Sequence, residues 1–166
     1  HSFPTRRSSD LDEKTNVMRI LDQKKVKYTE YTYLNTDAVG GQEVAEALGE
    51  DANKVFKTLV TVGKTGNHYV FLVPVNKELS LKKAAKAVGE KKVEMIKSKE
   101  LLPLTGYIHG GCSPIGMKKF FKTTIHESAK DFDTIMFSGG KIGYQVETTL
   151  DGLKKVIRFD LADIAE

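Results

Sequence analysis

Two runs of β-type residues, Phe56 to Val62 and Tyr69 to Val75, flank a compact turn signal, Thr65-Gly66-Asn67. Apolar, β-branched and aromatic residues separated by a glycine-containing turn of this length predict an antiparallel hairpin. That hairpin commits the centre of the chain to a sheet and limits what the flanks can become. Pro74 has no N–H to give to a ladder, so it marks a strand terminus or a sheet edge. The flanks must supply the layers that bury the hairpin faces.

Short periodic segments serve that purpose. Thr15 caps a helix whose Val17, Ile20 and Leu21 share one face. Tyr28 to Leu34 alternates and predicts a strand, broken by Gly40-Gly41. Gln42 to Leu48 is a short helix stopped by Gly49, and Ser80 caps a second helix, Leu81 to Val88, stopped by Gly89. Val93 to Ile96, Thr123 to Ile125, Thr134 to Phe137 and Tyr144 to Glu147 read as short strands, with Gly139-Gly140 as a turn between the last two. Leu150 to Val156 is a short helix. Strands interleaved with helices in 166 residues predict one α+β domain.

The first eleven residues, His1 to Leu11, are polar and aperiodic and lack the apolar core of a secretory signal. They are expected to be a non-native or disordered leader, with the domain spanning 12–166. Arg6, Arg7 and Asp10 give that leader one net positive charge, which leaves +3 of the formal +4 on the body. This mild basic excess is compatible with a nucleic-acid partner without requiring one. No apolar run reaches the length of a membrane span. A single cysteine forms no internal disulfide, and a reducing cytoplasm is the expected location.

The segment Gly110-Gly111-Cys112-Ser113-Pro114-Ile115-Gly116 holds three glycines and a proline. Glycine reaches positive φ without steric cost and proline fixes its own φ. Such a loop can aim backbone amides into one concavity suited to an anion or a polarised carbonyl; a plain tight turn has the same composition. No Gly-x-x-x-x-Gly-Lys-Ser/Thr run occurs, which argues against nucleotide triphosphates. Lys57 shares a predicted strand face with Val55 and Leu59, so it either snorkels at a sheet edge or points into a pocket. No His-x-x-x-His or Cys-x-x-Cys pair exists, so no metal site is expected. His109 borders the glycine loop, His68 the hairpin turn, and His126 follows a predicted strand. Cys112 is conceivable as a thiolate nucleophile, but a small filler of a tight loop is the preferred reading. Ser113 lacks the Gly-x-Ser-x-Gly context of a nucleophile elbow.

Four segments in this order resemble the YbaK/EbsC family. They are Val55-Phe56-Lys57-Thr58-Leu59-Val60, Leu81 to Gly89 with Lys91-Lys92-Val93-Glu94-Met95, Thr105-Gly106-Tyr107 leading to the glycine loop, and Ser138-Gly139-Gly140-Lys141. The resemblance runs from about Thr15 to the C-terminus. It implies a mixed, barrel-like β-sheet flanked by short helices, as in the editing insertion of bacterial prolyl-tRNA synthetase. It implies a free-standing aminoacyl-tRNA deacylase that clears cysteine from Cys-tRNA(Pro) and, in some members, Cys-tRNA(Cys). The implied mechanism is substrate-assisted: the cysteinyl thiol attacks its own ester carbonyl, and no cofactor or metal is needed.

Carried over by position, Lys57 is expected to hold the 3′-terminal adenosine of the tRNA or its phosphate. Gly110 and Gly111 are expected to turn amides toward the ester carbonyl. Tyr33, Thr58, Cys112, Ser113, Ser138 and Gln145 are expected to line the substrate pocket. Gln145 stands where many members carry aspartate, and Gly40-Gly41 where some present a bulky aromatic. Both departures bear on substrate preference. The expected partner is the aminoacyl-tRNA, and the sequence leaves open whether the protein works alone or docked on prolyl-tRNA synthetase. Two alternatives remain open at this stage: a deacylase for alanine or another small amino acid, and a non-catalytic module binding tRNA or a synthetase.

Overall fold

The predicted hairpin is the spine of the molecule. In the computed structural model, which describes residues 14–34, 38 and 40–166, β2 (Phe56–Gly63) and β3 (His68–Pro74) pair antiparallel from Phe56↔Pro74 to Val62↔His68. The turn closes with the Gly63 N–H on the Asn67 carbonyl at 2.8 Å, and Gly66 takes φ +91°. Pro74 ends its strand, as its missing N–H requires.

Around the hairpin a five-stranded sheet runs in the order β4-β2-β3-β5-β8. Its outer strands are β4 (Val93–Met95), β5 (Lys122–His126) and β8 (Asp160–Ala162). β5 lies parallel to both β3 and β8. A second, three-stranded antiparallel sheet orders β1 (Thr29–Thr32), β7 (Tyr144–Thr148) and β6 (Ile135–Ser138). The family resemblance led us to expect one barrel-like sheet. The described residues instead form two sheets that touch through one parallel bridge, Val55↔Met136. The mixed α+β architecture stands, without barrel closure.

Strand alternation sorts the hairpin into two cores. Phe56, Val60, Val70, Leu72 and Ile125 face the main core with Val17, Met18 and Leu21 of α1 (Asn16–Gln23). Tyr69, Phe71 and Val73 face a second core closed by Ala84 and Ala85 of α3 (Leu81–Val88). Small alanines on α3 let the helix lie close to the sheet. The caps fall where the sequence placed them: Thr15 accepts from Met18 N–H at 3.2 Å, Ser80 from Lys83 N–H at 3.2 Å, and Gly89 closes α3 at φ +77°. A small third core sits under α2 (Gly41–Leu48) and joins Val55, Val75 and Met136.

Several elements depart from the sequence-based expectation. Ser98–Thr105 forms α4 although it contains Pro103. The helix holds because Glu100 accepts the Lys97 N–H at 2.8 Å and Thr105 Oγ1 donates to the Leu101 carbonyl at 2.8 Å. β8 has no alternating signal of its own and exists by pairing with β5. α5 (Leu150–Lys154) is shorter than expected, and the leader lies outside the described residues.

Candidate active site

β2 is not covered evenly along its outer edge. β4 pairs with it only from Thr61 to Gly63. The Ile96 N–H reaches the Val60 carbonyl at 3.3 Å, and at the other end the Met136 N–H reaches the Lys54 carbonyl at 3.0 Å. Among the described residues no strand covers the stretch between. Antiparallel ladders alternate, so Thr58 turns its main-chain groups to the same side as Val60, toward this gap. A cavity of about 370 Å³ fills the gap. The second sheet walls one side through Ser138 and Gln145, the glycine loop another through His109, Gly110 and Cys112, and Met95 to Ser98 with Leu101 a third.

Seven of the nine predicted site residues line this cavity: Tyr33, Lys57, Thr58, Gly110, Cys112, Ser138 and Gln145. Gly111 and Ser113 are not part of the lining. They shape the loop behind it. The Ser113 hydroxyl is fully buried and accepts the Ile115 N–H at 3.3 Å. The Gly111 N–H donates to the Ile108 carbonyl at 3.0 Å, so that amide is already engaged. A Cβ at Gly111 would sit 3.0 Å from the Ile142 nitrogen, which explains glycine there by close backbone approach. Gly110 takes φ +89°, and the N–H groups of Gly110 and Cys112 make no hydrogen bond to any described residue. The Tyr107 hydroxyl donates to the Ile115 carbonyl and ties the loop down.

Lys57 reaches the cavity from the β2 edge. Its side chain is 27% exposed and its ammonium lies 3.5 Å from Glu78, whose carboxylate is 81% exposed. So exposed a counter-ion holds weakly, which leaves Lys57 available to a competing anion. Thr58 Oγ1 and Gln145 Oε1 are buried and have no hydrogen-bond partner among the described residues. Gln145 stands opposite Ser138 in the β6–β7 register, so the two side chains share one face of the wall. The Ser138 hydroxyl accepts the Gly140 N–H at 3.1 Å and fixes the Ser-Gly-Gly-Lys turn. Burial pushes the Cys112 thiol up to about 12, so it stays protonated at neutral pH and is a poor nucleophile.

Some lining residues carried no sequence signal. Met95 to Ser98 and Leu101 reach the cavity only because β4 peels away from β2 and α4 folds back. Gly40 and Gly41 also line it, and a Cβ on Gly41 would fall 2.5 Å from Val75 Cγ1. Among the described residues no group of His, Cys, Asp and Glu is placed to hold a metal, and no helix is long and apolar enough to cross a membrane.

Known proteins resemble this chain along most of its length. Over 153 residues the chain is 46% identical to an Enterococcus faecalis (strain ATCC 700802 / V583) protein provisionally named Cys-tRNA(Pro)/Cys-tRNA(Cys) deacylase EbsC. The match covers 92% of this chain and 93% of that one. A 76-residue stretch is 37% identical to proline–tRNA ligase of Shouchella clausii (strain KSM-K16), 46% of this chain but 13% of the ligase. A crystal structure described as a candidate trans-editing enzyme for prolyl tRNA synthetase superposes with a TM-score of 0.77 at 25% identity, covering 92% of this chain and 98% of that one. Residues 36–156 match the model of the aminoacyl-tRNA editing domain, and the chain belongs to that family.

Proposed function

We propose that this cavity is the catalytic site of a trans-editing deacylase that clears cysteine from Cys-tRNA(Pro), and from Cys-tRNA(Cys) as a second substrate. The observation that carries this is the convergence of Lys57, Gly110, Ser138 and Gln145 on one cavity in which the protein's own thiol is held protonated. A site with positioning groups but a poor internal nucleophile suits a substrate that brings its own.

In this reading Lys57 exchanges the loosely held Glu78 for a phosphate or hydroxyl of the 3′-terminal adenosine. The amides of Gly110 and Cys112 supply hydrogen bonds to the ester carbonyl as it becomes an oxyanion. Gly111 supports them by closing the turn. Tyr33, Thr58, Ser138 and Gln145 hold the aminoacyl group, with Thr58 Oγ1 and Gln145 Oε1 as acceptors for its polar hydrogens. The cysteinyl sulfur then attacks its own carbonyl carbon. The C–S bond forms, the ester C–O bond breaks, and the thiol proton passes to the departing ribose oxygen. Water later opens the thiolactone to free cysteine. Ring strain makes the attack slow unless the geometry is enforced, so the enzyme's part is orientation and charge stabilisation.

The protein would act in the cytoplasm, where tRNA is charged, alone or docked on prolyl-tRNA synthetase. The test is deacylation of Cys-, Ser- and Ala-tRNA(Pro) side by side. Cysteine should be cleared much faster than serine or alanine. Equal or faster release of alanine would replace this reading with a deacylase for small amino acids that uses water.

A further inference from the structure

Away from the cavity, two adjoining depressions share Phe120, Val156 and Ile157. Four cations line them: Lys119 in one, and Lys154, Lys155 and Arg158 in the other. Among the described residues no carboxylate lies in either lining. All four cations are exposed, and none forms an ion pair among the described residues. Phe120 is 60% exposed, the highest value among the large hydrophobic residues that the structure describes. An exposed ring costs hydrophobic free energy unless something covers it.

The geometry ties this groove to the active site. Gly110 and Cys112 line the cavity, whereas Pro114 and Gly116 of the same loop line the groove. Two residues span at most about 7 Å of chain, so the two linings nearly touch along that loop. They also share a sheet row: Val60 of the cavity pairs with Val70, which pairs with Thr123 of the groove.

We infer that the groove holds the phosphodiester backbone of the tRNA substrate beyond its 3′ end, with Phe120 as a platform for a base or ribose. The inference rests on the reading that the substrate is aminoacyl-tRNA. Its chemistry is that of RNA binding in general: clustered Lys and Arg without counter-ions attract phosphates, and an aromatic face stacks against any base. A peptide partner would need acidic residues to satisfy the four cations and offers no repeating charge to match their spread.

The test is anisotropy binding of uncharged tRNA across a salt series, with wild type and the triple variant Lys154→Ala, Lys155→Ala, Arg158→Ala. Loss of up to three phosphate contacts should flatten the slope of log K against log salt by about 2 to 3, and weaken binding at least about tenfold at low salt. kcat at saturating Cys-tRNA should hold while KM rises. Phe120→Ala should weaken binding about fivefold or more without changing the slope, because stacking releases no counter-ions. The charge-preserving variant Lys154→Arg, Lys155→Arg, Arg158→Lys should bind like wild type; failure to do so would overturn the electrostatic account. An unchanged slope in the triple variant would overturn the inference. So would retained tRNA affinity with loss of binding to a synthetase, because the groove would then be a protein surface. Steep salt-dependent tRNA binding by a wild type that deacylates nothing would remove the proposed function and leave the groove standing.

Discussion

Gln145 and Glu147 stand two residues apart on the same face of β7, and their surroundings are opposite. Glu147 is saturated. Tyr31 donates to it at 2.6 Å, Thr134 at 2.5 Å, and the Lys54 ammonium sits at 2.5 Å. Burial alone would raise its carboxyl pKa, but hydrogen bonds from Lys54, Thr134 and Tyr31 outweigh it and hold the group below the usual carboxylate range. Gln145 is buried as well, yet its Oε1 has no partner among the described residues. One residue spends its polar capacity on joining β1 to the residue before β6 and to the segment before β2. The other keeps it unspent beside a cavity. An unsatisfied buried acceptor costs stability, and Gln145 carries its own on the wall of a cavity, where a ligand can supply the missing donor. The same contrast holds along β2, where the paired end is structural and the open edge at Thr58 faces the site.

The contrast can be broken by substitutions on each side. Lys57→Ala carries the largest expected effect. A charged hydrogen bond contributes about 1.5–3 kcal/mol, so kcat/KM should fall at least about tenfold. The melting temperature should stay within error, because the Glu78 pair is exposed. Wild-type rates in the purified variant would remove Lys57 from the site.

Glu147→Gln acts on the other side. It should lower stability by about 2 kcal/mol through loss of charged hydrogen bonds, with kcat little changed. Urea melts against pH sharpen this. The Glu147 pKa is lowered on folding, so its contribution is complete above the ordinary carboxylate range and is lost as pH falls through the folded value. His126 adds to the acid loss. Burial lowers its pKa, and its Nδ1 accepts the Ile164 N–H at 3.2 Å. The unfolded chain therefore takes up that proton first, and stability begins to fall below about pH 6.5. In Glu147→Gln the decline that begins below about pH 6.5 should remain, and the steeper loss below the ordinary carboxylate range should shrink.

Gln145→Leu should do the reverse of Glu147→Gln. Removing an orphaned buried acceptor should leave stability equal or slightly higher, while deacylation falls several-fold. A loss of stability with unchanged activity would show that Gln145 is structural and would collapse the contrast. Cys112→Ala should do least, keeping activity within about twofold, because a protonated thiol attacks nothing. Collapse of activity in that folded variant would restore enzyme thiol catalysis.

The hairpin, the serine and threonine caps and the glycine stops were legible because each is a local event. The Ser80 side chain meets an amide three residues away, and Gly49 and Gly89 close their helices in the left-handed region. The motifs also singled out Lys57, Gly110 and Ser138, which come together on one cavity. What stayed hidden is non-local. The Glu147 cluster joins Tyr31 to a residue 116 positions away. β8 has meaning only beside β5, and Pro103 disguises α4. The open edge of β2 is a consequence of where β4 stops pairing, which no single residue announces. The family resemblance led us to expect that Gly111 would present its amide, but the turn to Ile108 uses it.

The central claim is that the substrate supplies the nucleophile and the cavity supplies position. The most direct measurement compares Cys-tRNA(Pro) with the same tRNA carrying S-methylcysteine, scoring both binding and release of the amino acid. The methyl group removes the thiol proton and most of the sulfur's nucleophilicity while keeping the ester, the amino group and the tRNA body. The account predicts that S-methylcysteinyl-tRNA binds and is not turned over. Turnover of the methylated ester at the rate of the free thiol would contradict it, because water or a protein group would then be attacking the carbonyl.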